Sequence, residues 1–519
     1  MSREHRGILK SSMGVVLANF LSRVFGFLRI VFEANVLGGG VYKAAWVLAF
    51  TFANLFRRIL GEGALGQALV PLLASTLEKS GPEASRRQLN AIFFWLSLLL
   101  AAVSVLTALG ALLVERFVTS EHAILACRLM PLLSPYIFLM CLVGIFSSIL
   151  NTFRIFFLPA LGALFLNVFM IGCLVLVPYL TGNGQIILEW LSYAVLISGA
   201  FELLMMIGLM KWNKVLPPFR WQDIRNFPVI KELFQLALPG ILGASIFQIS
   251  MVIDRLLASF LGAQAVSALE YSERLVYFPV GVFAVSISSV FLAEMSRAIG
   301  RDDLDAMLAH LRLGLRHIYF MAIPAAAFMI IFRTEILQVL LLRGRFTESD
   351  LQETAFTLLF FSLGIPLFCS FKIIVNTFYS RKDMKTPFFV GASVIILNII
   401  LNIILMQYLR QGGIALATVI SSLLNNAALL IILRRKLGIS LQLKSVHISI
   451  IRITVVSVGA VGAGYWLCLR QGFLHGFWAL LAGLMLSGLF YLILAFILRC
   501  PELRELRGMF SKRLIKSSN

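Results

Sequence analysis

Asn151-Thr152-Phe153, followed by Pro159 and Leu166-Asn167, reads again further along as Asn376-Thr377-Phe378, Pro387 and Leu397-Asn398. Leu37-Gly38-Gly39 likewise has a partner in Leu261-Gly262-Ala263. The offsets run from 224 to 231 residues, one register with small insertions. Self-similarity of this kind marks a bundle built twice, as many transporters are. Around these segments the chain is oily: of its 519 residues, 60% are hydrophobic and 13% charged, with a mean hydropathy of +0.92. A soluble domain carries about a quarter charged residues. The composition therefore excludes a soluble enzyme and points to an all-α polytopic membrane protein.

Apolar windows of about 20 residues bounded by charges, Gly or Pro predict about fourteen transmembrane helices. They fall near 11–36, 45–74, 91–114, 127–150, 157–181, 187–210, 235–260, 271–296, 315–333, 352–378, 387–409, 413–433, 448–469 and 476–498. The repeat groups them into two six-helix lobes of parallel topology, related by a pseudo-twofold. The N-terminal lobe covers 1–215, a basic cytoplasmic linker 216–234 and the C-terminal lobe 235–436, leaving 437–519 as two extra helices and a basic tail. The basic start, Ser2 to Lys10, precedes a stretch too long and too charged for a cleaved leader, so it reads as a retained first span.

The formal net charge is +20, from 45 Lys+Arg against 25 Asp+Glu. With both termini inside, 29 of these cations fall on inside segments and seven outside, Lys43 among the latter. That asymmetry orients the chain, and attraction to anionic lipid accounts for the inside set. Nine remain within the predicted spans: Arg23, Arg29, Arg57, Arg58, Arg128, Arg255, Arg274, Lys372 and Arg452. Each costs about 2.5–3.5 kcal/mol at a helix centre unless it meets water or a partner. Arg128 and Arg452 are close enough to span ends to snorkel. Arg23 and Arg29, about 20 and 28 Å along the helix from Lys10, are not.

Most of these charges belong to the leading pair of helices in each lobe. The first pair carries Arg23, Arg29, Glu33, Arg57, Arg58 and Glu62; the second carries or adjoins Asp254, Arg255, Glu270, Glu273, Arg274 and Glu294. Glu33 follows Arg29, and Glu62 follows Arg58, at the i,i+4 spacing that allows pairing on one helix face. Gly61 and Gly63 loosen the second span around Glu62. If the two pairs face one another, they enclose a hydrated, mainly cationic cavity. Interhelical salt bridges without a ligand are the structural alternative. Yet the first pair holds four arginines against two acids, and guanidinium is the fork suited to phosphate. The expected ligand is an anion, phosphate or pyrophosphate. The six cysteines are scattered in or beside apolar runs without a C-x-x-C pair, none of the six histidines lies deep in a span, and no hydrolase or metalloprotease motif occurs. These features argue against a metal centre, a histidine proton relay and a membrane enzyme.

Ser22-Arg23-Val24-Phe25-Gly26-Phe27-Leu28-Arg29 and Asn54-Leu55-Phe56-Arg57-Arg58-Ile59-Leu60-Gly61-Glu62-Gly63-Ala64, running on to Gln67-Ala68-Leu69-Val70-Pro71, resemble the MurJ (MviN) lipid II flippases of the multidrug/oligosaccharidyl-lipid/polysaccharide exporter superfamily. So do Glu273-Arg274-Leu275 with Phe278-Pro279, and Phe378-Tyr379-Ser380-Arg381 with Lys385-Thr386-Pro387. The resemblance implies a non-enzymatic multi-pass protein of the bacterial inner membrane that moves the undecaprenyl-pyrophosphate-linked peptidoglycan precursor outward by alternating access. It implies substrate contacts from Arg23, Arg29, Arg57, Arg58, Glu62, Arg274 and Lys372, with Glu33, Arg255 and Glu273 supporting the cavity. Three acids common in the family fall here at Ile30, Ala44 and Tyr277. A sodium site known in some members looks like Asp254, Asn398, Asn402 and Thr418, all oxygen-bearing and suited to a hard cation; plain interhelical hydrogen bonding is the alternative. No cofactor is expected beyond a coupling ion, sodium or proton, or the membrane potential. Partners on this reading are lipid II, membrane lipids and the peptidoglycan synthesis machinery, with no nucleic acid. Competing readings are a flippase for another polyprenyl-linked oligosaccharide and a drug/cation antiporter, which would want an acidic or aromatic cavity.

Overall fold

The computed structural model describes residues 3–61, 64–153, 155–213, 215–216, 219–225, 227–469 and 476–505. Among these there is no strand. Sixteen α-helices follow one another: α1 (Arg3–Leu37), α2 (Val41–Phe56), α3 (Ala64–Glu115), α4 (Glu121–Thr152), α5 (Phe157–Ala160), α6 (Gly162–Leu176), α7 (Gly184–Trp212), α8 (Phe227–Leu261), α9 (Ala263–Ile299), α10 (Leu304–Ile331), α11 (Arg333–Leu340), α12 (Glu348–Leu363), α13 (Ile365–Ser380), α14 (Lys385–Leu437), α15 (Lys444–Leu469) and α16 (Gly476–Ile497). Eleven helical segments among the described residues are long and apolar enough to cross a membrane. α14 covers two expected spans, 387–409 and 413–433, and turns back on itself between them at Arg410 (φ 49°, ψ −134°). α12 and α13 share one expected span, because Pro366 at the start of α13 lacks the N–H that would continue α12.

The chain forms two compact units. The first holds residues 1–267 together with 343–347. In it α1 packs on α6, α2 on α4, α4 on α3 and α7, and α8 on α3. The repeated asparagine has a visible purpose: Asn167 Nδ2 donates to the carbonyl of Ser22 at 3.1 Å and to that of Ala163 at 2.9 Å. Gly26 faces the same amide at ordinary contact distance, a Cβ there lying 3.5 Å from Asn167 Nδ2. The segment 343–347 closes on the far end of α1. Arg345 N–H donates to Asn35 O at 2.9 Å, and the Arg345 guanidinium lies 5.7 Å from the Tyr42 ring centre. Gly344 (φ 57°) is required there, because a Cβ would sit 2.2 Å from Asn35 O.

The second unit holds residues 268–342 and 348–519. α10 packs on α13 and α15, α15 on α16, and α12 and α13 on α14. Asn376, the second copy of the repeated asparagine before Thr-Phe, donates from Nδ2 to Ser288 O at 2.9 Å and so ties α13 to α9. The residues after α16 return to the same unit. Glu502, fully buried, accepts from Arg316 Nε at 2.8 Å and from Ser449 Oγ at 2.6 Å, while Arg316 also pairs with Glu505 at 3.2 Å. Burial pushes the Glu502 carboxyl up, but the Ser449 and Arg316 hydrogen bonds outweigh it and hold the acid below its ordinary range. With Tyr491 Oη donating to Phe320 O at 2.6 Å, the last two long helices are fastened to α10.

A smaller latch joins the two ends of α14. Asp383 accepts from the Thr386 amide at 3.1 Å and hydroxyl at 2.7 Å, and pairs with Lys436 at 2.7 Å. Partial burial raises the Asp383 carboxyl, yet the hydrogen bonds from Lys436 and Thr386 bring it down to about 2 from an ordinary 3.8. A depressed acid stabilises the fold above its unfolded pKa and loses that contribution as pH falls through the folded one. Asp383→Asn should therefore cost about 1–2 kcal/mol at pH 7, seen as a lower thermal unfolding midpoint in detergent. The gap to the parent should close as pH falls from about 4 toward 2; a pH-independent gap would show that charge plays no part.

Candidate substrate-binding site

The first unit gathers its charges around one carboxylate. The Gly38–Gly40 turn (Gly38 φ 72°) ends α1 and lets α2 return beside it. Lys43 of α2 then meets Glu33 of α1 in a short hydrogen bond, and Arg29 Nε lies 3.2 Å from the other Glu33 oxygen. All three are buried, at 7% (Arg29), 3% (Glu33) and 1% (Lys43) exposure. The Arg29–Glu33 pairing is the one its i,i+4 spacing leads one to expect; Lys43 is a correction, since its place in an outside connection suggested a topological charge. Arg29 is further fixed by a contact of 3.2 Å to Met170 Sδ and by the Phe50 ring, 6.0 Å from its guanidinium carbon. Ile30 and Ala44, where the family often carries acids, are packed at 5% and 0% exposure. Glu33 thus serves two cations, and the cluster keeps a net charge of about +1 with its positive groups held rigid.

Farther along, α2 passes into a stretch of π-helix, Arg57–Gly61, where Gly61 was expected to loosen the span. A π-turn offsets the side chains that follow and frees backbone groups locally, and such turns gather at functional sites. Arg57 Nε donates to Asn54 Oδ1 at 2.7 Å, and Arg58 reaches α8 through Gln248 Oε1 at 3.3 Å and Met251 Sδ at 3.7 Å. Both residues are half-buried. Glu62 lies outside the described residues. On α8, Arg255 is buried and Asp254 half-buried. Arg23 is exposed on α1, without an ion pair or side-chain hydrogen bond among the described residues.

In the second unit Arg274 pairs with Glu270 at 2.7 Å, one turn earlier on α9, and Glu273 is half-buried beside it. Tyr277, the third replaced acid, is exposed and stacks on Phe368 with centroids 5.9 Å apart. Lys372 on α13 is exposed and, like Arg23, has no such partner among the described residues. Asn402 Nδ2 donates to Asn398 Oδ1 at 3.2 Å, and Thr418 Oγ donates to Ile414 O at 3.1 Å. Arg128 behaves as a span-end cation, paired with Glu115 at 2.7 Å and largely exposed.

Two features escape a reading by motif. Lys43 is one. Glu202 on α7 is the other: fully buried, it accepts from Ser198 Oγ at 3.4 Å, and a Cβ on Gly162 would meet its carboxylate at 2.7 Å. A lone acid inside an apolar run is itself the signal that could have found it. A cavity of about 650 Å³ between α2, α3, α4 and the end of α8 is lined by apolar groups such as Phe52, Phe56, Val114 and Met130, and none of the site cations lines it.

The fold is that of transporters of the MOP superfamily. An inward-facing multidrug resistance MATE family transporter of that superfamily superposes with a TM-score of 0.69 at 14% identity, over 82% of this chain and 98% of its own. The sequence model of the lipid II flippase MurJ matches residues 33–487, and the chain belongs to that family, whose members are transporters rather than enzymes. A probable lipid II flippase MurJ from Buchnera aphidicola subsp. Baizongia pistaciae is 31% identical over 429 residues, 80% of this chain and 82% of the relative. A solved structure, lipid II flippase MurJ in an inward closed conformation, superposes with a TM-score of 0.78 at 28% identity, covering 93% of this chain and 98% of that one.

Because Glu33 answers two buried cations, Glu33→Gln should be the costliest single change in the cluster, about 3–5 kcal/mol, since it leaves Arg29 and Lys43 facing each other. Lys43→Met added to it should recover part of the loss. Thermal unfolding of the two single variants and the double variant closes that cycle, and additive losses would mean that Lys43 does not depend on Glu33.

Proposed function

We propose that this chain moves lipid II, the undecaprenyl-pyrophosphate-linked peptidoglycan precursor, from the inner to the outer leaflet of the bacterial cytoplasmic membrane by alternating access, with both termini cytoplasmic. The observation that carries this reading is the match of the lipid II flippase family over residues 33–487. The surplus of guanidinium groups on the leading helices supports it, because a pyrophosphate presents the oxygens that such forks bind best.

In this reading the cations divide their work. Arg23 and Lys372, exposed and not committed to another side chain among the described residues, meet the pyrophosphate as it enters. Arg57, Arg58 and Arg274 hold it, the first two from a π-turn whose irregular geometry can shift as the cavity changes shape. Arg29, locked by Glu33, Met170 and Phe50, acts as fixed positive field. Glu33, Arg255, Glu273 and Glu62 set the local balance of charge. Partial neutralisation of the cations by the bound anion favours the closed arrangement, which is how a ligand shifts such an equilibrium. The polyprenyl tail stays in lipid beside α15 and α16.

Energy for the cycle comes from a coupling ion or from the membrane potential. For sodium, the donor set Asp254, Asn398, Asn402 and Thr418 is chemically apt, being all oxygen. Asn398 Oδ1 already accepts from Asn402, so an ion there would have to displace that hydrogen bond.

Depleting the protein in its host should make the lipid-linked precursor accumulate on the inner leaflet; an unchanged distribution would favour another polyprenyl-linked oligosaccharide as cargo. Arg23→Glu and Arg274→Glu should each abolish complementation while leaving membrane insertion intact. Full activity in both would sink the pyrophosphate clamp.

A further inference from the structure

A second polar site lies away from these cations, where the linker meets the start of the third expected span. Its small cleft is lined by Glu83, Arg86, Arg87, Asn90, Arg220 and Asp223. Two hydrogen bonds fix its walls: Asn90, buried at 5% exposure, donates to Asp223 Oδ2 at 2.9 Å, and Trp95 Nε1 donates to Ile224 O at 2.9 Å. The linker is thereby pinned on α3 through groups with defined partners. Three guanidiniums face two carboxylates, and one carboxylate is already engaged by Asn90. Arg87 and Arg220 have no ion pair or side-chain hydrogen bond among the described residues, so positive charge is left over.

The surroundings say where this charge sits. Phe219 and Trp221 are exposed at 60% and 72% and pack edge to face at 5.2 Å, with Trp221 also against Phe94 at 6.3 Å. Exposed aromatic rings at the end of a membrane-crossing helix mark headgroup depth, where one side of the ring is apolar and the other wet. A site for a soluble anion has no use for two bare aromatic rings beside it. A site for a phosphate carried on hydrocarbon chains does.

We propose that this cleft binds the phosphate of an anionic phospholipid, on the face of the membrane that carries the basic connections. Arg87 and Arg220 supply the contacts, Arg86 adds field, and Trp221 and Phe219 lie along the glycerol and upper chains. This goes beyond diffuse attraction of basic loops to an acidic leaflet, because it names one cleft, and it is independent of what the chain transports.

The test uses the full-length protein in detergent, with bound lipid counted by native mass spectrometry. Phosphatidylglycerol should be retained several-fold more than phosphatidylcholine, and Arg87→Gln/Arg220→Gln should cut its retention about tenfold. Arg434→Gln/Arg435→Gln, at the basic end of α14, should leave it within twofold. Equal losses in both pairs would reduce the effect to diffuse attraction and overturn the cleft. Protection of the protein by inorganic phosphate, without retention of phosphatidylglycerol, would overturn the lipid assignment in favour of a soluble anion. Should the double variant misfold, Arg87→Gln alone decides, since that side chain is exposed and supports no other among the described residues; unchanged retention in it would count against the proposal.

Discussion

One carboxylate between two cations governs the first unit. Glu33 lets Arg29 and Lys43 remain charged at positions where neither could stay alone, and it does so by joining the end of α1 to the start of α2. Once the Gly38–Gly40 turn is closed by that pairing, the direction of α2 is set, and with it the place of the π-turn and its two arginines. Ala44, next to Lys43, is fully buried.

Charges elsewhere follow the same rule in weaker form. Arg274 has its own acid one turn away, Arg58 reaches an amide oxygen and a sulfur on α8, and Arg316 meets two carboxylates. What differs is how much freedom each retains. A guanidinium buried with its carboxylate, as Arg29 is, is a fixed field; one partly exposed beside its acid, as Arg274 is, can take up a phosphate at lower cost. This graded commitment separates cations that build the protein from those placed to meet a ligand, although composition counts them alike.

Much of the fold was legible because hydrocarbon imposes simple arithmetic. Long apolar runs became helices, and the duplicated asparagines became contacts between helices, Asn167 to α1 and Asn376 to α9. The Arg29–Glu33 pairing was legible because i,i+4 spacing is local. Lys43 was not: it pairs across a turn, and its sequence neighbourhood looks like a loop. The breaks were unevenly legible. The turn at Arg410 falls between the expected spans 387–409 and 413–433, although no proline marks the spot. A proline does mark the division of α12 from α13, but a hydropathy window averages over it.

The residues after α16 have a consequence for how the molecule is made. Arg316 sits midway along α10, at the inner edge of the ninth expected span, with little exposure, and its carboxylate partners, Glu502 and Glu505, lie 186 and 189 residues later in the chain. During synthesis α10 enters the membrane long before either acid has left the ribosome. Its arginine therefore gains these partners only after α15 and α16 have been made, and their pairing is a late step in assembly that joins α10 to the helices that follow it.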